Sequence, residues 1–181
     1  MSQASRLSST HKLVWVCLLA ALTSVSAFFQ IPLWPAPITL QTMFVLLAGL
    51  ILGSGHGSAC ILLYILLGSV GFPVFSGGKA GWAILLGPTG GYLAGFVLSA
   101  LLCGLGAKKF AGSKTALFLL CATASILTLF CGSLRLIALL DYSPGQAFLV
   151  GLLPFFIGDL LKSVAAVGVF LFLKKHKLVP S

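Results

Sequence analysis

Long stretches with hardly a charged side chain alternate along this sequence with short segments rich in Gly, Pro or Lys. Six apolar runs stand out, at roughly 13–29, 40–55, 57–71, 89–107, 115–139 and 147–173. In lipid a backbone must satisfy its own hydrogen bonds, so continuous apolar runs near the ~20 residues that cross a bilayer predict transmembrane helices. The second and third runs are short, and each adjoins a Pro/Gly-rich segment, QIPLWPAPITLQ (30–41) or FPVFSGGKAGWAILLGP (72–88). That combination predicts backbone folding back to membrane depth, which is tolerated where it lines a protein cavity. Small residues recur at helical spacing: Ala20 with Ser24, Thr23 with Ala27, and Gly91 with Gly95. They permit close helix contacts, either inside the bundle or with a partner.

Composition supports the same class. Apolar residues make up 59% of the 181 and charged ones 7%, with a mean hydropathy of +1.15. The expected fold is an all-α integral membrane domain of six transmembrane helices spanning the chain. A net charge of +9 raises nucleic acid as a partner, but the cations form neither one tract with interleaved aromatics nor one amphipathic face. They fall in the gaps between runs. Arg6 and Lys12 precede the first, Lys108, Lys109 and Lys114 separate the fourth from the fifth, and Lys174, Lys175 and Lys177 follow the last. Lys79 and Asp141 belong to the opposite side, and an excess of cations on one side marks the cytoplasm. Both termini are therefore expected to be cytoplasmic and both Pro/Gly-rich loops to face outward. The N-terminal region, with Arg6, His11 and Lys12 before LVWVCLLAALTSVSAFF, has the outline of a secretory signal. The later spans favour an uncleaved first helix instead.

The chemistry concentrates in the sixth run. The two acids of the chain are Asp141 and Asp159, and Asp159 stands three residues before Lys162 within GLLPFFIGDLLKSVAAVGVFLF. A charged side chain at that depth costs roughly 3 kcal/mol on insertion scales, so the pair is expected to serve a buried site. A self-neutralising ion pair that merely eases insertion is the plainer reading. The outward loops offer walls and further polar groups: Trp34, Thr39 and Gln41 on the first, Phe75, Ser76, Lys79 and Trp82 on the second. An acceptor-only carboxylate suits a ligand's N–H donors and a lysine suits a carboxylate or carbonyl. The expected ligand is small, partly apolar, and carries both kinds of group. For Trp34, Phe75 and Trp82, anchoring at the membrane interface is an equal alternative, and for Lys79 so is a solvated loop position. The five cysteines and three histidines form no ligand-spaced cluster, and no metal or cofactor is expected.

Three segments, PITLQT (37–42), GFPVFSGGKAGWAILLGPTGGYLAGF (71–96) and GLLPFFIGDLLKS (151–163), resemble motifs of the BioY family, the biotin-binding S components of energy-coupling-factor vitamin transporters. The resemblance covers about residues 20 to 170. It implies the six-helix S-component fold, a place in the cytoplasmic membrane of a prokaryote, and biotin held beneath the first and third loops. It also makes Asp159 and Lys162 the polar site residues of the last helix and puts Lys79 where relatives can carry Arg. Biotin agrees with the chemistry above: its ureido N–H groups suit Asp159, its rings and valeryl chain suit Trp34, Phe75 or Tyr92, and its carboxylate suits Lys79 or Lys162. Arg135 stands where the family leads one to expect an apolar or aromatic residue.

The only Gly-Lys pair, Gly78 and Lys79, lacks the upstream Gly of a phosphate-binding loop, because position 73 is Pro. ATP hydrolysis by that route falls to other subunits. The resemblance implies a transmembrane coupling protein and paired ATPases, with Ala20 and Ser24 on the docking surface; work without those partners, as is thought of some relatives, and self-association are the alternatives left open. An intramembrane enzyme using Asp159 and Lys162 as acid and base lacks a His or Cys set beside an activator. A ligand-free scaffold subunit is the remaining rival.

Overall fold

The computed structural model describes residues 3–179, with side chains from residue 10 onward, so the Arg6 side chain lies outside the described residues. Helices dominate: α1 (Gln3–Ser26), α2 (Gln41–Ser69), a short α3 (Trp82–Leu86), α4 (Gly90–Ala107), α5 (Lys114–Leu140), α6 (Pro144–Gly151) and α7 (Leu153–Lys175). Of these, α2, α4, α5 and α7 are long and apolar enough to cross a membrane, and α1 adds a shorter apolar stretch, Thr10–Ser26. A core runs through the bundle from Leu19 and Val45 to Ala100, Leu117 and Ala166.

The long α2 is folded back on itself. At Gly53 the backbone takes φ 77° and ψ −178°, a conformation open to glycine and strained for residues with a Cβ. The buried side chains of Gln41 and Tyr64 meet in a hydrogen bond of 2.5 Å, although a straight helix would hold them roughly 34 Å apart. A Cβ on Gly57 would lie 3.0 Å from the Cα of Gly49, so the two legs, 41–52 and 54–69, pack backbone to backbone. At 1.5 Å per residue they are roughly 18 and 24 Å long. These legs are the two short apolar runs of the sequence, and the turn places both of their far ends beside the same loops.

The last run is corrected by the structure. It is not one helix over 147–173: Leu152 leaves helical geometry at φ −123° and ψ −53°, and α7 starts afresh with Pro154 in its first turn. Proline has no N–H for the preceding turn and disfavours helix in the residue before it. The preceding α6 is begun by a reciprocal cap in which the Ser143 hydroxyl accepts from the Gln146 amide and the Gln146 side chain accepts from the Ser143 amide. The break puts Asp159 in the second turn of a helix whose beginning can be placed independently of α6.

Two loops close that end of the bundle. The first forms a small antiparallel pair, β1 (Gln30–Ile31) with β2 (Ile38–Thr39). The second turns at Gly77 and Gly78, both at positive φ, so that the Phe75 amide donates to the Lys79 carbonyl at 3.0 Å. The loops are tied together, since the Gly77 amide donates to the Ala27 carbonyl at 3.3 Å. Phe75 lies against Gly68, where a Cβ would come within 2.6 Å of its ring. At the other end, His11 and Lys12 border the same hollow as Lys174 and Lys177. The two ends of the chain therefore meet on the face away from the loops.

The α4–α5 seam depends on glycine. A Cβ at Gly95 would approach the Thr128 Cα to 2.7 Å and its carbonyl oxygen to 3.0 Å, both backbone atoms that cannot swing aside. Gly95→Leu is expected to cost about 3 kcal/mol, the upper part of the overpacking range, read as a lower melting temperature in detergent. Gly112→Ala, with nothing within 4 Å of the added methyl, is the control expected to leave it unchanged.

Candidate functional site

Beneath the two loops lies a cavity of about 50 Å³, room for a few waters at the 10–15 Å³ each requires. Its closed end is the acid–base pair of α7. Asp159 is 3% exposed, and the Lys162 ammonium donates to its Oδ1 at 2.8 Å. Thr42, in the first turn of α2, lines the same cavity. An ionised carboxylate offers about four acceptor positions, so acceptor capacity remains for a ligand.

A second polar group comes from the mouths of the α2 legs. The Thr39 hydroxyl donates to Gln41 Oε1 at 3.1 Å, and Gln41 Nε2 donates to the Tyr64 hydroxyl at 2.5 Å. This relay crosses from leg to leg because the turn at Gly53 sets residues 41 and 64 opposite each other. The aromatic walls are fixed in the same way. Phe75, 1% exposed, meets Tyr64 edge-on with ring centres 5.7 Å apart. Tyr92 of α4 stands 5.8 Å from Phe155 and donates its hydroxyl to the Gly151 carbonyl at 2.8 Å, pinning the end of α6. Along the α4–α5 seam the Ser99 hydroxyl meets Thr128 Oγ1 at 2.6 Å, and Thr128 completes the wall.

The cavity continues outward into a hollow of about 190 Å³, sharing Pro37, Ser76, Ile84 and Thr89 with it. Trp34 and Lys79 line only this outer part, and Asp159 and Lys162 only the inner. The two lysines named from the sequence therefore stand at opposite ends of one elongated space. Trp34 is 75% exposed, a lid over the hollow rather than a buried wall.

Of the residues singled out from the sequence, Asp159, Lys162, Gln41, Thr39, Phe75 and Tyr92 converge on the inner cavity, and Lys79 and Trp34 on the outer hollow. Trp82 lines neither and is largely exposed. Ala20 is turned into the bundle core at 3% exposure, and the Ser24 hydroxyl donates back to the Ala20 carbonyl at 2.9 Å. This seam packs α1 inward, so Ala20 presents no surface to a partner here. Arg135 is a latch on the loop: its guanidinium donates to the carbonyls of Leu86 and Gly87. A cation there satisfies carbonyls left free where α3 ends. Sequence reasoning missed Thr42, Tyr64, Phe155 and Thr128. The spacing Gly53, Gly55, Gly57 was the available signal for Tyr64, since a turn centred there opposes residues 41 and 64.

Fold and site together define a helical membrane protein with a mostly apolar cavity ending on an acid–lysine pair. The model of the BioY family matches residues 1–179, and the chain belongs to that family. It is 38% identical to the biotin transporter BioY of Thermotoga maritima over 165 residues, covering 91% of this chain and 96% of that one. It is 39% identical to the probable biotin transporter BioY of Pyrococcus horikoshii over 152 residues, covering 84% and 89%. The fold is similar over the whole of both chains to the crystal structure of the S-component for biotin from an ECF-type ABC transporter, with a TM-score of 0.88 and 26% identity.

Proposed function

We propose that this chain binds biotin and serves as the substrate-specific subunit of a vitamin uptake system in a prokaryotic cytoplasmic membrane. The observation that carries the reading is the two-part hollow, closed by Asp159 and Lys162 and flanked outside by Lys79, in a chain whose relatives are named biotin transporters. A ligand reaching through both parts meets Asp159 at one end and Lys79 at the other. The ureido ring sits at Asp159, the fused rings lie against Phe75 and Tyr92, and the valeryl chain runs out past Ser76 to place its carboxylate at Lys79. This order follows from charge: Lys162 is already paired to Asp159, whereas Lys79 has no acid beside it among the described residues.

With the α2 legs counted separately and α6 with α7, six helical segments correspond to the six apolar runs, which supports six passes through the membrane. Seven cations with described side chains, Lys12, Lys108, Lys109, Lys114, Lys174, Lys175 and Lys177, belong to the end away from the loops, and by the positive-inside rule they support a cytoplasmic place for that end and outward-facing loops. ATP-driven delivery falls to partners, a transmembrane coupling protein and paired ATPases. Cells lacking biotin uptake should accumulate labelled biotin when they express this chain, alone or with such partners; no accumulation above the empty vector in either setting counts against the reading.

The placement of the carboxylate has its own test. Lys79→Ala is expected to weaken biotin about fivefold, the upper part of what an exposed charge pair contributes. It should leave an uncharged biotin amide unaffected. Equal losses for both ligands would move the carboxylate away from Lys79.

A further inference from the structure

At the end of the bundle opposite the loops, the turn of α2 floors a hollow of about 910 Å³, far larger than the ligand cavity. Lys12 of α1, Lys108 after α4, Lys174 of α7 and Lys177 beyond it all line it. The chain has two acids, Asp141 and Asp159, and neither borders this hollow. Among the described residues the one salt bridge is that of Lys162, so none of these four lysines is paired with an acid there. The rest of the lining adds His11, Ser54 and His56 and an apolar part, in which Ile51 and Phe170 are buried and Leu105 of α4 is 64% exposed.

Topology alone requires cations on this side of a membrane but does not require them to surround a concavity. Lys109, Lys114 and Lys175 satisfy the same charge rule at the same end and stand outside the hollow. We propose that the hollow binds the phosphate headgroup of an anionic phospholipid, with the lysines on the phosphate and an acyl chain running out along Leu105. An anionic headgroup complements the unpaired cations, and an apolar exit toward the lipid face is something a soluble anion has no use for. Basic pockets between membrane helices on the cytoplasmic side recognise lipid headgroups in this way. The proposal needs only that the bundle lie in a bilayer, and it stands whether or not the opposite cavity takes biotin.

The test compares the purified full chain with two triple variants, Lys12→Gln/Lys108→Gln/Lys174→Gln in the hollow and Lys109→Gln/Lys114→Gln/Lys175→Gln outside it. Binding of phosphatidylglycerol, phosphatidylcholine and inorganic phosphate is followed by native mass spectrometry and by the melting temperature. Phosphatidylglycerol is expected to bind and raise the melting temperature of the parent chain, with phosphatidylcholine and phosphate inert. The hollow variant should bind it roughly a hundredfold more weakly, at about fivefold per lysine, and the outside variant should match the parent. Monodisperse elution and an unchanged melting temperature without lipid establish that each variant is folded; if the hollow triple fails this check, the single Lys108→Gln and Lys174→Gln variants replace it. Equal loss in both triples would reduce the effect to diffuse surface charge and overturn the site. Stabilisation by phosphate alone would assign it to a soluble anion, and no response to phosphatidylglycerol would remove it.

Discussion

Asp159→Asn is expected to raise the dissociation constant for biotin by about 5- to 150-fold, corresponding to about 1–3 kcal/mol. The substitution keeps the size and planarity of the side chain and removes its charge. Where the carboxylate offers only acceptors, the amide places an NH2 against either the Lys162 ammonium or the ureido N–H groups, so one of the two loses its partner. Because Asp159 is 3% exposed, salt does not screen the interaction as it would at a surface. The loss should therefore be nearly the same at low and high ionic strength. Isothermal titration in detergent at two salt concentrations measures both quantities. Unchanged affinity would take Asp159 out of the site, and a loss that disappears at high salt would mean that the carboxylate acts from a distance.

Lys162→Met should destabilise the ligand-free protein by about 3–5 kcal/mol, the usual cost of breaking a buried ion pair from one side. The methionine fills the space of the lysine stem, but Asp159 is left buried without the ammonium now 2.8 Å from its Oδ1. The double variant Asp159→Asn/Lys162→Met leaves no uncompensated charge, and replacing both partners of such a pair is often neutral. Its melting temperature is expected to return close to that of the parent while biotin binding stays lost. This combination separates two reasons for keeping an acid and a base in a membrane helix. Were the pair there only to carry itself into lipid, the double variant would be stable and would bind biotin as well as the parent. Were it there only to hold the bundle together, the double variant would remain unstable.

Much of this arrangement was legible before the structure, and the parts that were not share a cause. Hydrophobic run length locates α4 and α5 closely, because helix and apolar stretch begin and end together there. Asp159 and Lys162 stood out because charge within an apolar run is costly enough to need a reason. The division of the runs 40–55 and 57–71 at the GSGHG segment already called for a reversal there. What run length does not give is which side chains the turn at Gly53 sets opposite each other. Tyr64 was hidden for that reason: in LLYILL it reads as one more apolar residue until the turn brings it opposite Gln41. The break at Leu152 was masked by unbroken hydrophobicity from α6 into α7, with Pro154 as its one local sign. Small residues at helical spacing, such as Ala20 and Ser24, mark a close contact without saying with what. In the structure Ala20 is 3% exposed within the chain's own bundle.

Arg135 falls outside these patterns. Family resemblance leads one to expect an apolar or aromatic residue at that position, and gives the cation no assigned role. Arg135 holds the carbonyls of Leu86 and Gly87 at the end of α3, and so ties the loop that carries Phe75, Ser76 and Lys79 to α5. Only a fold that sets α5 beside that loop gives the guanidinium those partners.

The most direct measurement is equilibrium binding of biotin to the detergent-purified chain without any partner, beside the Asp159→Asn variant and under identical conditions. Saturable one-to-one binding that weakens in the variant, with the melting temperature of each recorded alongside, is the predicted result. A folded parent chain that takes up no biotin, or a variant that binds it as tightly as the parent, would contradict a cavity built around that carboxylate.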